Sequence, residues 1–277
     1  GHPSGGRLGV FARRAAPVQV AWINYLQSTG LTAMDYVLHA DSMRTPDIED
    51  FFVERIWSLG PTNAPFRPAG PPAEGPTPAL HNGFARFACF NHPAKISDQC
   101  IAAWARILIG APTARLLLKY GYYADPTLRN AMCVRFAAHG VKPSQLEFSG
   151  HSAGPDYLRA FADIDVALDP SPCPGGTTSC DAIASGVPLL ALRGTDFYAR
   201  LSLQHLEPLG LHELIADSWD DYVAKAVDLT RDHARLDALR QKTRAAFAAS
   251  PFRDEAGFTR RLEAAYRAMF SKWCEPV

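Results

Sequence analysis

"DIDVALDP" (Asp163–Pro170), followed closely by "CPGGTTSCDA" (Cys173–Ala182), is the stretch on which the fold turns. The first run is apolar and β-branched and ends in Asp-Pro, which reads as a short strand. The second sets two glycines and two threonines directly before a helix. "VPLLAL" (Val187–Leu192) then supplies another strand, so the whole reads as one strand–helix–strand unit of a parallel sheet. Two readings of the turn stand side by side. In one, Thr177 is an ordinary N-cap and Asp181 a first-turn acid. In the other, the helix start is left bare for an anion: its amides point outward, and the helix dipole adds partial positive charge. Glycine then allows close backbone approach, the threonine hydroxyls add donors, and Asp181 can accept from sugar hydroxyls.

The same pattern extends outward. "FARFACF" (84–90), "ARLLLKY" (114–120) and "QLEFSG" (145–150) read as strands, alternating with helices over 97–109, 126–139 and about 156–161. That alternation predicts an α/β fold with helices on both faces of a parallel sheet, whose ligands sit beyond the carboxyl ends of the strands. Lys95, in "FACFNHPAKISD" (87–98), follows such an end and would face the same anion site as a point charge. Ahead of this region, "PVQVAW" (17–22) and "MDYVLHA" (34–40) read as strands and "TPDIEDFFVERIWSLG" (45–60) as a helix opening on Thr-Pro. The Pro/Gly-dense segment 61–83 reads as a linker or surface excursion. From Asp196 onward the chain reads as helical. It closes on a helix over 254–273 whose Phe258, Leu262, Tyr266, Met269 and Trp273 form an apolar stripe.

Bulk composition narrows the function. The 277 residues carry 28 basic and 28 acidic side chains, which gives no electrostatic footprint for nucleic acid or an anionic membrane. No apolar run approaches a membrane span. The six cysteines show neither CxxC pairing nor zinc-ligand spacing, so they read as reduced thiols and suggest a cytoplasmic protein. His139, His151, His205, His212 and His233 are scattered and read as surface or satisfied groups.

Three ordered segments, "FACFNHPAKI", "FADIDVALDPSPCPGGTTSCDAIASGVPLL" and "ARRAAPVQVAW" with "TGLTAMDYVL", together resemble the catalytic region of the O-linked N-acetylglucosamine transferase family, in particular its bacterial, tetratricopeptide-repeat-linked branch. The resemblance runs nearly end to end. It implies a GT-B type glycosyltransferase: two Rossmann-like lobes, a UDP-sugar such as UDP-GlcNAc held mainly by the C-terminal lobe, an acceptor protein or peptide, no cofactor and no metal. On that resemblance Lys95 meets the diphosphate and helps the departing UDP. Thr177 and Thr178 hold the phosphates within a turn that includes Gly175 and Gly176, and Asp181 holds the ribose. Ser152, Ala153 and Tyr157 belong to the uracil-facing loop, and Cys173 lies beside the sugar. A catalytically silent UDP-binding scaffold and a UDP-glucose-dependent protein N-glycosyltransferase are the alternatives.

Departures from the family pattern bear on the sugar more than on the class. "NYLQSTG" (Asn24–Gly30) stands where the family has a "GYPGTSG"-like loop, with Asn24, Leu26 and Gln27 at the changed positions. Gly176 replaces a histidine of animal members, and Gly154 and Tyr157 replace a lysine and a histidine. His2 and Arg7 match a loop lining the cleft. The expected organisation is 1–60 as a remnant of the N-terminal lobe, 61–83 as linker, 84–250 as the nucleotide-sugar-binding lobe, and 251–277 as a helix crossing back to the first lobe. No tetratricopeptide pattern occurs, and the chain is expected to be a piece of a longer protein.

Overall fold

Each of the five apolar runs expected as strands after Gly83 forms one in the computed structural model, which describes residues 6–23, 27–71 and 75–275. They are β4 (Arg86–Cys89), β5 (Arg115–Lys119), β6 (Leu146–Ser149), β7 (Val166–Leu168) and β8 (Leu189–Leu192). A sixth strand, β9 (Ile215–Ala216), completes a parallel sheet of order β6-β5-β4-β7-β8-β9. This is the doubly wound order of a Rossmann sheet, and it reverses between β4 and β7. Helices α3 (Asp98–Gly110), α4 (Pro126–Ala137), α5 (Pro155–Arg159), α6 (Thr177–Ala184), α7 (Leu203–Leu206), α8 (Trp219–Leu229) and α9 (His233–Ala248) join and cover the strands. Several start on the side chains that sequence reasoning looks for: Ser97, Asp125, Ser218 and Asp232 each accept a first-turn amide. Trp104 on α3, fully buried, packs in one continuous core with Phe87, Leu116, Val166 and Leu190.

β9 corrects the expectation of an all-helical tail. Two residues are too few to show alternation, and their strand character comes from pairing with Ala191 and Leu192 of β8.

The N-terminal part forms a second, three-stranded parallel sheet, β1 (Val20–Ala21), β2 (Tyr36–His39) and β3 (Arg55–Ser58), in that order. A short helix α1 (Leu8–Phe11) precedes it, and α2 (Ala79–Asn82) follows. The helix expected over 45–60 is absent: a 3-10 turn spans Pro46–Phe51, no side-chain bond caps it at Thr45, and β3 follows at Arg55–Ser58. The spacing that suggested a helix is real in one respect. Ile48, Phe52 and Ile56 do face one apolar cluster, together with Met43, Phe197 and Leu201. Pairing of Ile56 and Trp57 with Val37 and Leu38 outweighs the local preference.

The described residues of segment 61–83 include several tied into the core. Thr62 and Thr77 are fully buried. Trp22 Nε1 donates to the Asn63 carbonyl at 2.7 Å, Phe66 N to the Phe252 carbonyl at 2.9 Å, and Thr77 Oγ1 to Asp237 at 2.8 Å. The last helix, α10 (Glu255–Cys274), lies on the three-stranded sheet. Phe258, Leu262, Ala265 and Met269 pack on Tyr36, Leu38, Leu59 and Trp57, and Trp22 stacks on Phe258 at 5.9 Å. Arg261 Nε adds a bond to the Leu59 carbonyl at 3.1 Å. The expected stripe is rotated by one position: small Ala265 enters the seam, while Tyr266 and Trp273 are 43% and 52% exposed. A steady 4-3-4 spacing keeps one narrow row against the sheet and turns the bulkier rings outward.

Candidate functional site

Neighbouring strands β4 and β7 end side by side, with Phe87 opposite Val166 and Ala88 opposite Ala167. Their continuations build the site at the point where strand order reverses. After β7 comes Asp169, 2% exposed. Its carboxylate accepts from Gly175 N at 2.8 Å, Ser179 Oγ at 3.1 Å and Ser202 Oγ at 2.6 Å. These bonds and the nearby Lys95 charge favour the ionised form, but burial outweighs them and pushes its pKa up to about 6. Asp169 thus folds the Pro170–Pro174 loop back so that Gly175 leads into the start of α6.

The β4 continuation docks on that loop. Ile96 bridges Pro172, and Ser97 Oγ donates to the Ser171 carbonyl at 2.8 Å. Cys100 Sγ lies 3.1 Å from that carbonyl and accepts from Ser171 N at 3.2 Å. Lys95 sits in a 3-10 turn (Pro93–Lys95) begun by His92, whose Nδ1 accepts from Ala94 N at 3.0 Å. Its Nζ donates to the Pro174 carbonyl at 2.7 Å. The two stretches that the sequence left far apart therefore meet, with the ammonium beside the glycine turn.

The two glycines differ. A Cβ on Gly175 would overlap Ser179 Oγ and lie 3.0 Å from Asn91 Oδ1, whereas one on Gly176 would meet nothing within 4 Å. Gly176, at φ −101° and ψ −98°, is the N-cap of α6, and no side chain caps that helix. Thr177 is the first helical residue, which corrects the plain-cap reading. Among the described residues, the amides of Gly176, Thr177 and Thr178 have no acceptor within the protein. These are the orphan donors of an open helix start.

Thr178 also belongs to a second group. The Tyr157 hydroxyl lies beside Thr178 and Asp181, and its ring lies 5.6 Å from Phe161 and 6.2 Å from Phe90. Burial moves the Asp181 carboxyl up to about 6 against the Tyr157 bond, and burial, then the Asp181 charge, pushes the phenol well up. Ser152 and Ala153 precede Tyr157 on the same loop. Ser152 Oγ is buried with no partner among the described residues, and Ala153 is exposed. Cys173 turns the other way, its Sγ 2.9 Å from the Tyr198 hydroxyl, and Tyr198 packs on the cluster shared with the N-terminal sheet. Gln27 and Ser28 line a cavity of about 360 Å³ between the two sheets, together with Phe51, Asp196 and Phe197. His2, Asn24 and Leu26 lie outside the described residues. Arg7 is the N-cap of α1.

Sequence reasoning missed Asp169, Asn91 and Ser202. Only Asp169 left a signal, as the single acid closing an apolar strand. His205, expected as a surface or satisfied group, is buried with no partner for Nδ1 among the described residues, and desolvation lowers its pKa to about 4. Among the described residues, no group of three or more His, Cys, Asp or Glu is placed to hold a metal ion, and no helix is long and apolar enough to cross a membrane.

Comparison with known proteins places this geometry. A solved Thermobaculum terrenum O-GlcNAc transferase, a lysine variant, superposes with a TM-score of 0.89 at 34% identity, over 96% of this chain and 51% of that one. An Anabaena HepE complexed with UDP and glucose shares the fold alone, with a TM-score of 0.58 at 12% identity, over 85% of this chain and 64% of that one. The Oryza sativa protein named "Probable UDP-N-acetylglucosamine--peptide N-acetylglucosaminyltransferase SPINDLY" is 34% identical over 99% of this chain. The chain spans about 30% of the length of that relative. The two parallel sheets and the returning α10 are a GT-B arrangement. The profile of Glycosyl transferase family 41 matches residues 79–262, and the chain belongs to that family.

Proposed function

We propose that this chain forms the donor-binding and leaving-group side of a protein glycosyltransferase. It would move N-acetylglucosamine, or a related hexose, from a UDP-sugar to Ser or Thr hydroxyls, inverting the anomeric carbon without a metal. The observation that carries this reading is the 2.7 Å bond from Lys95 Nζ to the Pro174 carbonyl, which puts an ammonium at the uncapped start of α6. As the acceptor hydroxyl displaces UDP, negative charge collects on the diphosphate. A lysine and a helix N-terminus held in advance stabilise that charge with little reorganisation. Gly175 keeps the turn tight, Gly176 leaves room beside it, and the Thr177 and Thr178 hydroxyls supply further donors. Asp181, oriented by Tyr157, suits a ribose hydroxyl. Ser152 and Ala153 would line the base, and Cys173 would lie near the sugar. Six unpaired thiols suit a cytoplasmic setting.

In a longer protein containing this region, Lys95→Ala should slow transfer by about 2–4 kcal/mol of transition-state stabilisation, as for a lost oxyanion donor. Steady-state kinetics with UDP-GlcNAc and an acceptor peptide reads this. An unchanged kcat would remove Lys95 from the leaving-group role.

A further inference from the structure

The loop that carries Ser152 and Tyr157 is anchored by a lysine that has no part in the site described so far. Lys119 ends β5, with Ser149 of β6 as its register partner, while the preceding Leu118 lies opposite Cys89 of β4. It therefore stands between the strand that leads into Phe90 and the strand that leads into Gly150. The side chain is 6% exposed. Its ammonium donates to Ser149 Oγ and to the Gly150 carbonyl, each at 3.1 Å, and sits 6.0 Å from the Phe90 ring centroid. No carboxylate among the described residues pairs with it, and burial alone acts on its basicity, downward.

A buried ammonium without a counter-ion is costly, and lysines ordinarily extend their charge to water. This one instead fixes the start of a single loop and faces the Phe90 ring that packs at its far end. The Gly150 carbonyl opens the loop. Phe90 packs 4.5 Å from Phe161 and 6.2 Å from Tyr157, where the loop closes into α5. Tyr157 in turn reaches Thr178 and Asp181.

We propose that Lys119 is a positioning residue for nucleobase recognition, holding Gly150–Tyr157 in the conformation that reads the base of the bound nucleotide. This rests on the reading of that loop as the base-facing wall of the donor site. Lys119→Met keeps the bulk but donates nothing, whereas Lys119→Arg keeps charge and reach.

Calorimetry on the 277-residue chain with UDP and with ADP tests it. In Lys119→Met the Kd for UDP should rise about tenfold, the order of one lost hydrogen bond to a charged group. The Kd for ADP should stay, so the preference for UDP shrinks by the same factor, and Lys119→Arg should restore it. Melting of the unliganded variants monitors the fold. If Lys119→Met does not fold, Lys119→Gln should show a smaller loss of the same kind. Unchanged UDP affinity, or equal weakening of UDP and ADP, overturns the proposal. Wild-type protein that binds UDP no better than ADP overturns the base-facing assignment and this proposal with it.

Discussion

The turn at Gly175 and the seam under α10 are both buried junctions, but they are held in opposite ways. The turn is polar: one buried carboxylate, Asp169, gathers an amide and two hydroxyls, and a lysine caps a carbonyl beside it. The seam is apolar, with Phe258, Ala265 and Met269 against Tyr36, Leu38 and Leu59. A polar junction depends on individual atoms and leaves a groove that a ligand can complete. An apolar seam depends on the volume of the side chains that fill it. The proposed nucleotide site lies at the first, and the packing of α10 on the three-stranded sheet is the second.

The largest expected effect lies in the seam. Phe258, 2% exposed and stacked on Trp22, should cost about 3–5 kcal/mol when cut to alanine. Amide exchange should accelerate in 18–59 before it does in 86–192. Trp273→Ala, at an exposed ring, should stay within about 0.5 kcal/mol. Equal losses from the two substitutions would mean that the seam has been drawn on the wrong face of α10.

The turn is sharpened by its two glycines. Gly175→Ala forces a methyl onto Ser179 and Asn91 and should destabilise by about 1–3 kcal/mol, an overpacking cost. Gly176→Ala enters open space and should lower the melting temperature less. Comparable shifts in thermal melts of the two variants would contradict the geometry.

The pH response sets the polar turn against a third contact, the aromatic one around His39. His39, between the sheets, lies 4.2 Å from Phe197 with neither ring nitrogen partnered among the described residues, and burial lowers its pKa to about 3. Above its unfolded value of 6.5 both states are neutral. As pH falls from there toward 3, the unfolded state binds the proton first and stability drops, by about 1.4 kcal/mol per pH unit at full slope. Asp169 has the opposite sign. Its pKa rises from 3.8 to about 6, so the stability it contributes is complete below 3.8 and is lost as pH rises through 6. His39→Phe should therefore flatten the acid-side loss in melts between pH 7 and 5. An unchanged slope would place the acid sensitivity elsewhere.

These contrasts follow what was readable in the chain. The strands of the larger sheet are continuous apolar runs with side-chain caps following them, so local pattern and tertiary role agree. β3 and β9 were illegible because their strand character comes from a neighbour, through Leu38 for Trp57 and Ala191 for Ile215. Within the site, Gly175, Gly176 and the threonines are conspicuous in any strand-to-helix turn. Asp169 left only its place at the end of an apolar strand, and Lys119 left nothing: their work is done through Ser202 and Gly150, each about thirty residues away. A strand-end lysine reads by default as solvated.

The central claim is that the polar turn, not the apolar seam, receives the nucleotide. Amide hydrogen exchange with and without millimolar UDP tests it directly. The account predicts protection confined to Asn91–Lys95, Ser152–Tyr157 and Cys173–Asp181, with 18–59 and α10 unchanged. No binding by the folded chain, or protection centred on the three-stranded sheet, would contradict it.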